Sequence, residues 1–326
     1  MKFDLDLRFL SRYRQAFMGL AIFWVFFYHT GVDILGLRQL FSVGWIGVEI
    51  FFLLSGFGLS QSLSKNSDLG EYYKRRLTRI IPTWWLILLL MHLVGWVAGF
   101  KVPQTLGENI EWYTGLGWWL NGLCYEWYMP TLIVFYLIAP FIHKLSNRAL
   151  LVLIISSVIG GVLLHEFELF EHVYMSYQRL PIFVMGFLLY RVCAQNLKVR
   201  VLPTLVVVGL ALFVFGYSYL FKEADLILSL EMRRYAMLVL IVPMLWCLSK
   251  IFDFVPLLKV PMNFLGTLSM EIYLLHIGHD YSVLVCDFIG SYVGPSFTKV
   301  VYFLFIVLAA WLIHALVGFV KNKISA

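Results

Sequence analysis

Residues 14–31, RQAFMGLAIFWVFFYHTG, and residues 44–60, GWIGVEIFFLLSGFGLS, are two apolar runs separated by a short polar break. Each is long enough to cross a bilayer. His29 stands near the end of the first and Glu49 near the start of the second, so a tight reversal brings them to similar depth. Ionisable side chains are costly in hydrocarbon, and two at matched depth on consecutive spans mark a functional site. Their chemistry is that of a base and a carboxylate that orients it and stabilises its protonated form.

The rest of the chain has the same character. Of 326 residues, 61% are hydrophobic, 17% aromatic and only 13% charged, more apolar surface than the interior of a soluble domain can hide. The class is therefore an all-α polytopic membrane protein. The net charge of +6 does not point to nucleic acid, because the basic residues sit in short loops between apolar runs. Ten runs are long enough to span, at 15–33, 43–63, 82–100, 118–142, 149–166, 174–193, 202–221, 234–250, 262–282 and 297–320. With both termini cytoplasmic, 18 Lys and Arg fall inside and 7 outside, a positive-inside bias that sets the orientation. Trp45, Trp112, Trp118, Trp119 and Trp127 then lie near the outer boundary as an aromatic belt. No repeat or low-complexity tract divides the chain, so residues 1–326 read as one bundle with short connections. The first run follows a charged segment without a small-residue cleavage site and reads as a retained span. Pro82, Pro130, Pro140, Pro181 and Pro243 lie at or within spans, as helix starts or as kinks that neighbours must support. Cys124, Cys193, Cys247 and Cys286 show no metal spacing; they read as span and boundary residues, with an outward Cys124–Cys286 disulfide as the minor alternative.

Orientation gives each group a depth. His29 lies in the outer half of the first span, and Glu49 about 9 Å along the second at 1.5 Å per residue. The ninth run contains SMEIYLLHIGHD, which adds Glu271 and, in the outer half, His276. Three spans thus contribute ionisable groups toward one outward polar cavity. On the cytoplasmic side, EYYKRRLTRIIP at 71–82 places Arg76 and Arg79 on one helical face. Two adjacent guanidinium groups suit a phosphorylated ligand; the alternative is a pair of anchors on lipid head groups, the reading given to Lys74 and Arg75.

Taken together these residues resemble acyltransferase family 3. The pieces are His29, GVEIFFLLSGF at 47–57, RRLTRIIP at 75–82, WYMPTLIVFYLIAP at 127–140, RLPIFVMG at 179–186 and GTLSMEIYLLH at 266–276. They occur in family order and cover nearly all ten runs. The resemblance implies an integral protein of the bacterial cytoplasmic (inner) membrane that moves acetyl or other acyl groups from cytoplasmic acyl-CoA to extracytoplasmic glycans or small hydroxyl-bearing acceptors. It implies that His29 is catalytic, that Arg76 and Arg79 face the donor, and that Glu49 is the family's acidic residue before two phenylalanines. The family's Arg eleven residues before its His is Met18 here, with Arg14 one turn earlier. Its glutamates after the fourth-span Trp are Leu132 and Ile133, leaving Glu126 upstream. The extra extracytoplasmic hydrolase-like domain of many members has no counterpart.

A thioester is already activated, so transfer to a hydroxyl needs a base and charge stabilisation at the carbonyl oxygen. His29 supplies the base in this reading, and Glu49 holds its tautomer. Arg179 contacts an acceptor or an oxyanion, or is an interfacial anchor. Ser55 contacts substrate or satisfies its own helix backbone. His276 walls the cavity or packs against Ser269 or Tyr273, and Trp127 lies at the acceptor side. His92, His143, His165, His172, His279 and His314 have no partner pattern and read as interfacial or packing residues. Neither metal-ligand spacing nor a Ser-centred nucleophile motif is present, so no metal is expected. Two other classes stay open: a transporter or flippase with a polar path, which calls for inverted symmetry between the halves, and an acyl-binding scaffold, for which Met18 is the hint.

Overall fold

The computed structural model describes residues 2–3, 6–31, 38–122, 127–195, 199–220 and 226–325. The reversal at 32–37 and the residues Cys124, Glu126, Lys198 and Lys222 lie outside them, as does the side chain of His279. The described chain is mostly α-helical, with one two-residue antiparallel pairing of Lys2 with Arg200 and Phe3 with Val199. Among the described residues, six helices are long and apolar enough to cross a membrane: Ile46–Lys65, Leu69–Ala98, Asn147–Glu166, Leu202–Leu220, Glu231–Phe254 and Phe297–Lys323. The other expected runs fall on shorter elements. Arg14–Thr30 and Tyr128–Lys144 have 17 residues each and Leu180–Ala194 has 15. The ninth run is divided into Pro256–Thr267 and Ser269–His276, broken at Leu268 (φ −95°, ψ 7°). Many helices present apolar side chains outward, among them Trp96, Val97, Phe213, Leu304 and Leu308, as helices bathed in lipid do.

Local sequence sets the helix ends. Asp68 accepts from the Glu71 N–H at 3.0 Å and starts Leu69–Ala98, which ends on Gly99 in the left-handed region (φ 73°), a conformation glycine adopts at no steric cost. The helix runs unbroken through Pro82, so the arginines of RRLTRIIP belong to the same rod as the apolar third run. Ser146 caps Asn147–Glu166, and Thr105 with Glu108 forms a capping box on Leu106–Thr114. Two backbone N–H groups, of Gln104 and Thr105, hold the Glu108 carboxyl below the usual carboxylate range.

The chain forms two compact units, each assembled from separate segments. The first comprises residues 1–17, 46–67 and 138–262. Its centre is the packing of Ile46–Lys65 on Leu180–Ala194, where the backbones touch. A Cβ added at Gly56 would lie 2.0 Å from the Phe183 carbonyl oxygen, and one at Gly186 would lie 2.3 Å from that of Leu53. Close backbone approach through small residues is how helices gain contact where burial from water gives no drive. Arg191 donates to the carbonyls of His143 and Leu145 and, at 3.3 Å, to Asn147 Oδ1, satisfying the exposed end of Tyr128–Lys144.

The second unit comprises residues 18–45, 68–137 and 263–326. Phe23, Phe26, Phe27, Phe41 and Phe303 interlock with ring centroids 4.7–6.3 Å apart. Trp24 donates to the Leu40 carbonyl at 2.6 Å. These contacts fix the end of the helix that carries His29.

Candidate active site

His29 lies one residue before the end of Arg14–Thr30, with its side chain exposed. Its Nδ1 is 3.0 Å from His276 Nε2, and His276 Nδ1 is 2.7 Å from the Ile272 carbonyl oxygen. The directions of these two bonds follow from chemistry. A carbonyl only accepts, so His276 Nδ1 carries a proton. In the neutral ring its Nε2 is then a bare acceptor, which requires the proton of His29 to sit on Nδ1. His29 Nε2 is left with a free lone pair, the form in which imidazole acts as a base.

His276 itself is held tightly. It is 3% exposed, with the Phe26 ring 5.3 Å away and the Tyr273 ring 5.8 Å away. Aromatic contacts continue from Tyr273 to Tyr128 at 5.0 Å, to Trp127 at 6.2 Å and to Trp118 at 6.4 Å. Trp127 is thus tied to the His276 ring through two tyrosines. On the far end of the short helix, buried Glu271 meets His314 Nδ1 at 2.8 Å.

A cavity of about 340 Å³ opens beside the two histidines, and its walls include Ser282, Cys286, Lys299 and Tyr302. Ser282 donates to the His276 carbonyl at 2.9 Å, and its oxygen is 2.8 Å from the Tyr302 hydroxyl. With its own proton spent on the carbonyl, Ser282 must accept from Tyr302. That wall therefore presents hydroxyl lone pairs.

The remaining expected residues separate between the two units. In the first, Glu49 meets Arg179 at 3.3 Å with side chains 4% and 3% exposed. Arg179 also donates to the Met175 carbonyl at 3.4 Å. Ser55 is half-buried beside the Gly56 contact, and Arg14 lies over Gly58, where an added Cβ would come 3.0 Å from Nη2. In the second unit, Arg76 is half-buried with its guanidinium 5.7 Å from the Tyr72 ring, and Arg79 is exposed. Arg75 pairs with Glu71 at 3.3 Å, an ordinary surface ion pair. Twelve residues past Arg79 on this rod, about 18 Å at 1.5 Å per residue, a Cβ added at Gly278 would lie 2.8 Å from Met91 Cε. The arginine pair and the level of His276 are therefore linked by one helix.

The structure brings His29 to His276, and Glu49 to Arg179. The sequence offered His276 as a cavity wall or a packing partner of Ser269 or Tyr273; it lines the cavity and packs against Tyr273, and the contact with His29 is what the sequence did not show. Glu49, expected to hold the His29 tautomer, is paired with Arg179. Histidines that the sequence left without a partner pattern do take partners, among them His143 with Ser60 at 3.3 Å, His165 with Glu171 at 2.9 Å, and His314 with Glu271. Ser282, Lys299 and Tyr302 were passed over as site residues. Their only signal was position, at the two sides of the turn that follows the ninth run. Among the described residues no three of His, Cys, Asp and Glu gather where they could hold a metal.

Comparison with known proteins gives these residues a context. A family model described as an acyltransferase domain matches residues 17–317. A protein of Acidianus two-tailed virus that bears the name "Putative acetyltransferase ORF330" is 36% identical over 151 residues, 44% of this chain. That match spans 45% of the viral protein's length. No solved structure matches.

Proposed function

Because the chain belongs to acyltransferase family 3, we propose that it transfers an acyl group, acetyl in the common case, from cytoplasmic acyl-CoA to a hydroxyl of an extracytoplasmic surface or envelope glycan or a small acceptor, with His29 as the base. The observation that carries this reading is the free Nε2 of an exposed His29 whose Nδ1 is engaged by His276. His29 Nε2 takes the acceptor's hydroxyl proton as the oxygen bonds to the thioester carbonyl. The carbon–sulfur bond then breaks, and the proton passes from His29 to the departing thiolate. While His29 is cationic, its Nδ1–H still donates to the His276 lone pair, so the ring does not turn.

On the donor side, Arg76 and Arg79 suit the phosphates of acyl-CoA, and the acyl arm extends along Leu69–Ala98 toward His276. The reading needs the ten-span topology with cytoplasmic termini, which the excess of 18 inner over 7 outer basic residues supports. In this account Glu49 neutralises Arg179 and takes no proton from substrate.

The test is binding and slow hydrolysis of radiolabelled acetyl-CoA by the purified protein in detergent. Wild type should bind and hydrolyse, Arg76→Ala should lose binding, and His29→Ala should bind without turnover. Full turnover by His29→Ala would overturn the assignment of the base. No binding of acetyl-CoA or of longer acyl-CoA by wild type would overturn the donor.

A further inference from the structure

We infer that the cavity beside His29 is built for an acceptor that carries an anionic group, a carboxylate or a phosphate, and that Lys299 is the residue that selects it. This rests on the reading of His29 as the base for a hydroxyl acceptor. Among the described residues that line the cavity, Lys299 is the one permanently charged side chain. Among the described residues it forms no ion pair within 4.0 Å; its polar contact is Cys286 Sγ, 3.7 Å from Nζ. A thiol is a weak acceptor, whereas an ammonium has three donors, so the amine has capacity left over and, among the described residues, no paired counter-charge. The acidic residues nearest in sequence on the facing helix, Asp280 and Asp287, are exposed and do not pair with it.

The other walls fit the same ligand. The Ser282–Tyr302 pair offers lone pairs to hydroxyl protons, and His29 offers the base. At about 340 Å³ the cavity is near the small end of the range of roughly 300–1,000 Å³ for small-molecule sites. It suits one acidic sugar unit or a small hydroxy acid. Within the cavity an anionic acceptor supplies the counter-charge that the described residues around Lys299 do not.

Cys286, buried and against Lys299, reports on this site without any need for turnover. With Cys124, Cys193 and Cys247 changed to Ser in the full chain, Cys286 is alkylated with iodoacetate and with iodoacetamide, which differ in charge. The ratio of the two rates should exceed that of a free thiol by about ten-fold. Lys299→Met should return the ratio to the free-thiol value, and Lys299→Arg, which keeps the charge and controls for folding, should retain it. D-Glucuronate or glucose 6-phosphate should slow the labelling at concentrations where D-glucose does not, and which of the two acts better distinguishes carboxylate from phosphate.

A free-thiol ratio in wild type, no labelling by either reagent, or equal protection by glucose and glucuronate would each overturn the inference. So would loss of the ratio on adding anionic lipid, which would make Lys299 a head-group anchor. The ratio should survive His29→Ala. A protein that shows it yet neither binds nor hydrolyses acyl-CoA would refute the acyl-transfer reading and leave the anion site standing.

Discussion

At the residue scale, the proton positions on two histidines decide what the site can do. In the proposed mechanism His276 orients His29 only if its Nε2 lone pair faces the His29 ring. Replacing it with Ala should therefore lower turnover less than the loss of about 10²–10⁴-fold expected of His29→Ala, without weakening donor binding. The decisive readout is the ¹⁵N spectrum of histidine-labelled protein: the His29 proton should reside on Nδ1 in wild type and redistribute between the ring nitrogens in His276→Ala. An unchanged tautomer would remove His276 from the mechanism. Glu49 and Arg179 make a separate prediction about stability. Both side chains are almost fully buried, so Arg179→Met alone should leave the carboxylate without its ion-pair partner and destabilise the protein by up to about 3–5 kcal/mol, with Arg234 the cation left nearby. The double change with Glu49→Gln should recover much of that in unfolding measured in detergent micelles. If the double variant is no better than the single one, the pair does not act as a pair.

At the element scale, the contact between Ile46–Lys65 and Leu180–Ala194 depends on the absence of side chains at two points. At Gly56 and Gly186 an added methyl group would meet backbone rather than a flexible chain end, and the helices would have to move apart. Gly56→Ala and Gly186→Ala should each cost about 1–3 kcal/mol, whereas Gly160→Ala, where nothing lies within 4 Å, should be neutral in the same thermal unfolding assay. Gly56 was legible in the sequence as part of the family piece GVEIFFLLSGF at 47–57. Its physical role was not, because a glycine does not announce which backbone comes against it. The capping box of Leu106–Thr114 gives a pH prediction. The Glu108 carboxyl is held below its ordinary value, so its contribution is complete above that value and is lost as pH falls through the lowered one. Amide exchange in this helix should speed up on acidification, and Glu108→Gln should remove that acid dependence.

At the scale of the whole molecule, the expected topology is testable by fusion: a fluorescent protein after Ala326 should fold and glow in the cytoplasm, while alkaline phosphatase at the same point should stay inactive. Active phosphatase there would refute the even span count. The class, the apolar runs, the arginine pair on one helix and the family were all legible in the sequence, since each depends on spacing along one chain and on the 1.5 Å rise that converts position into depth. The partners were not. Depth placed Glu49 and His29 at one level, but which groups meet depends on how each helix is rotated and which helices are neighbours. In a water-soluble helix a polar face would reveal the rotation. Here lipid and core are both apolar and the signal is weak. So the sequence by itself determined what kind of protein this is and which family it belongs to. Only the tertiary structure joined His29 to a histidine 247 residues away, gave Glu49 to Arg179, and opened beside His29 a cavity lined by Lys299.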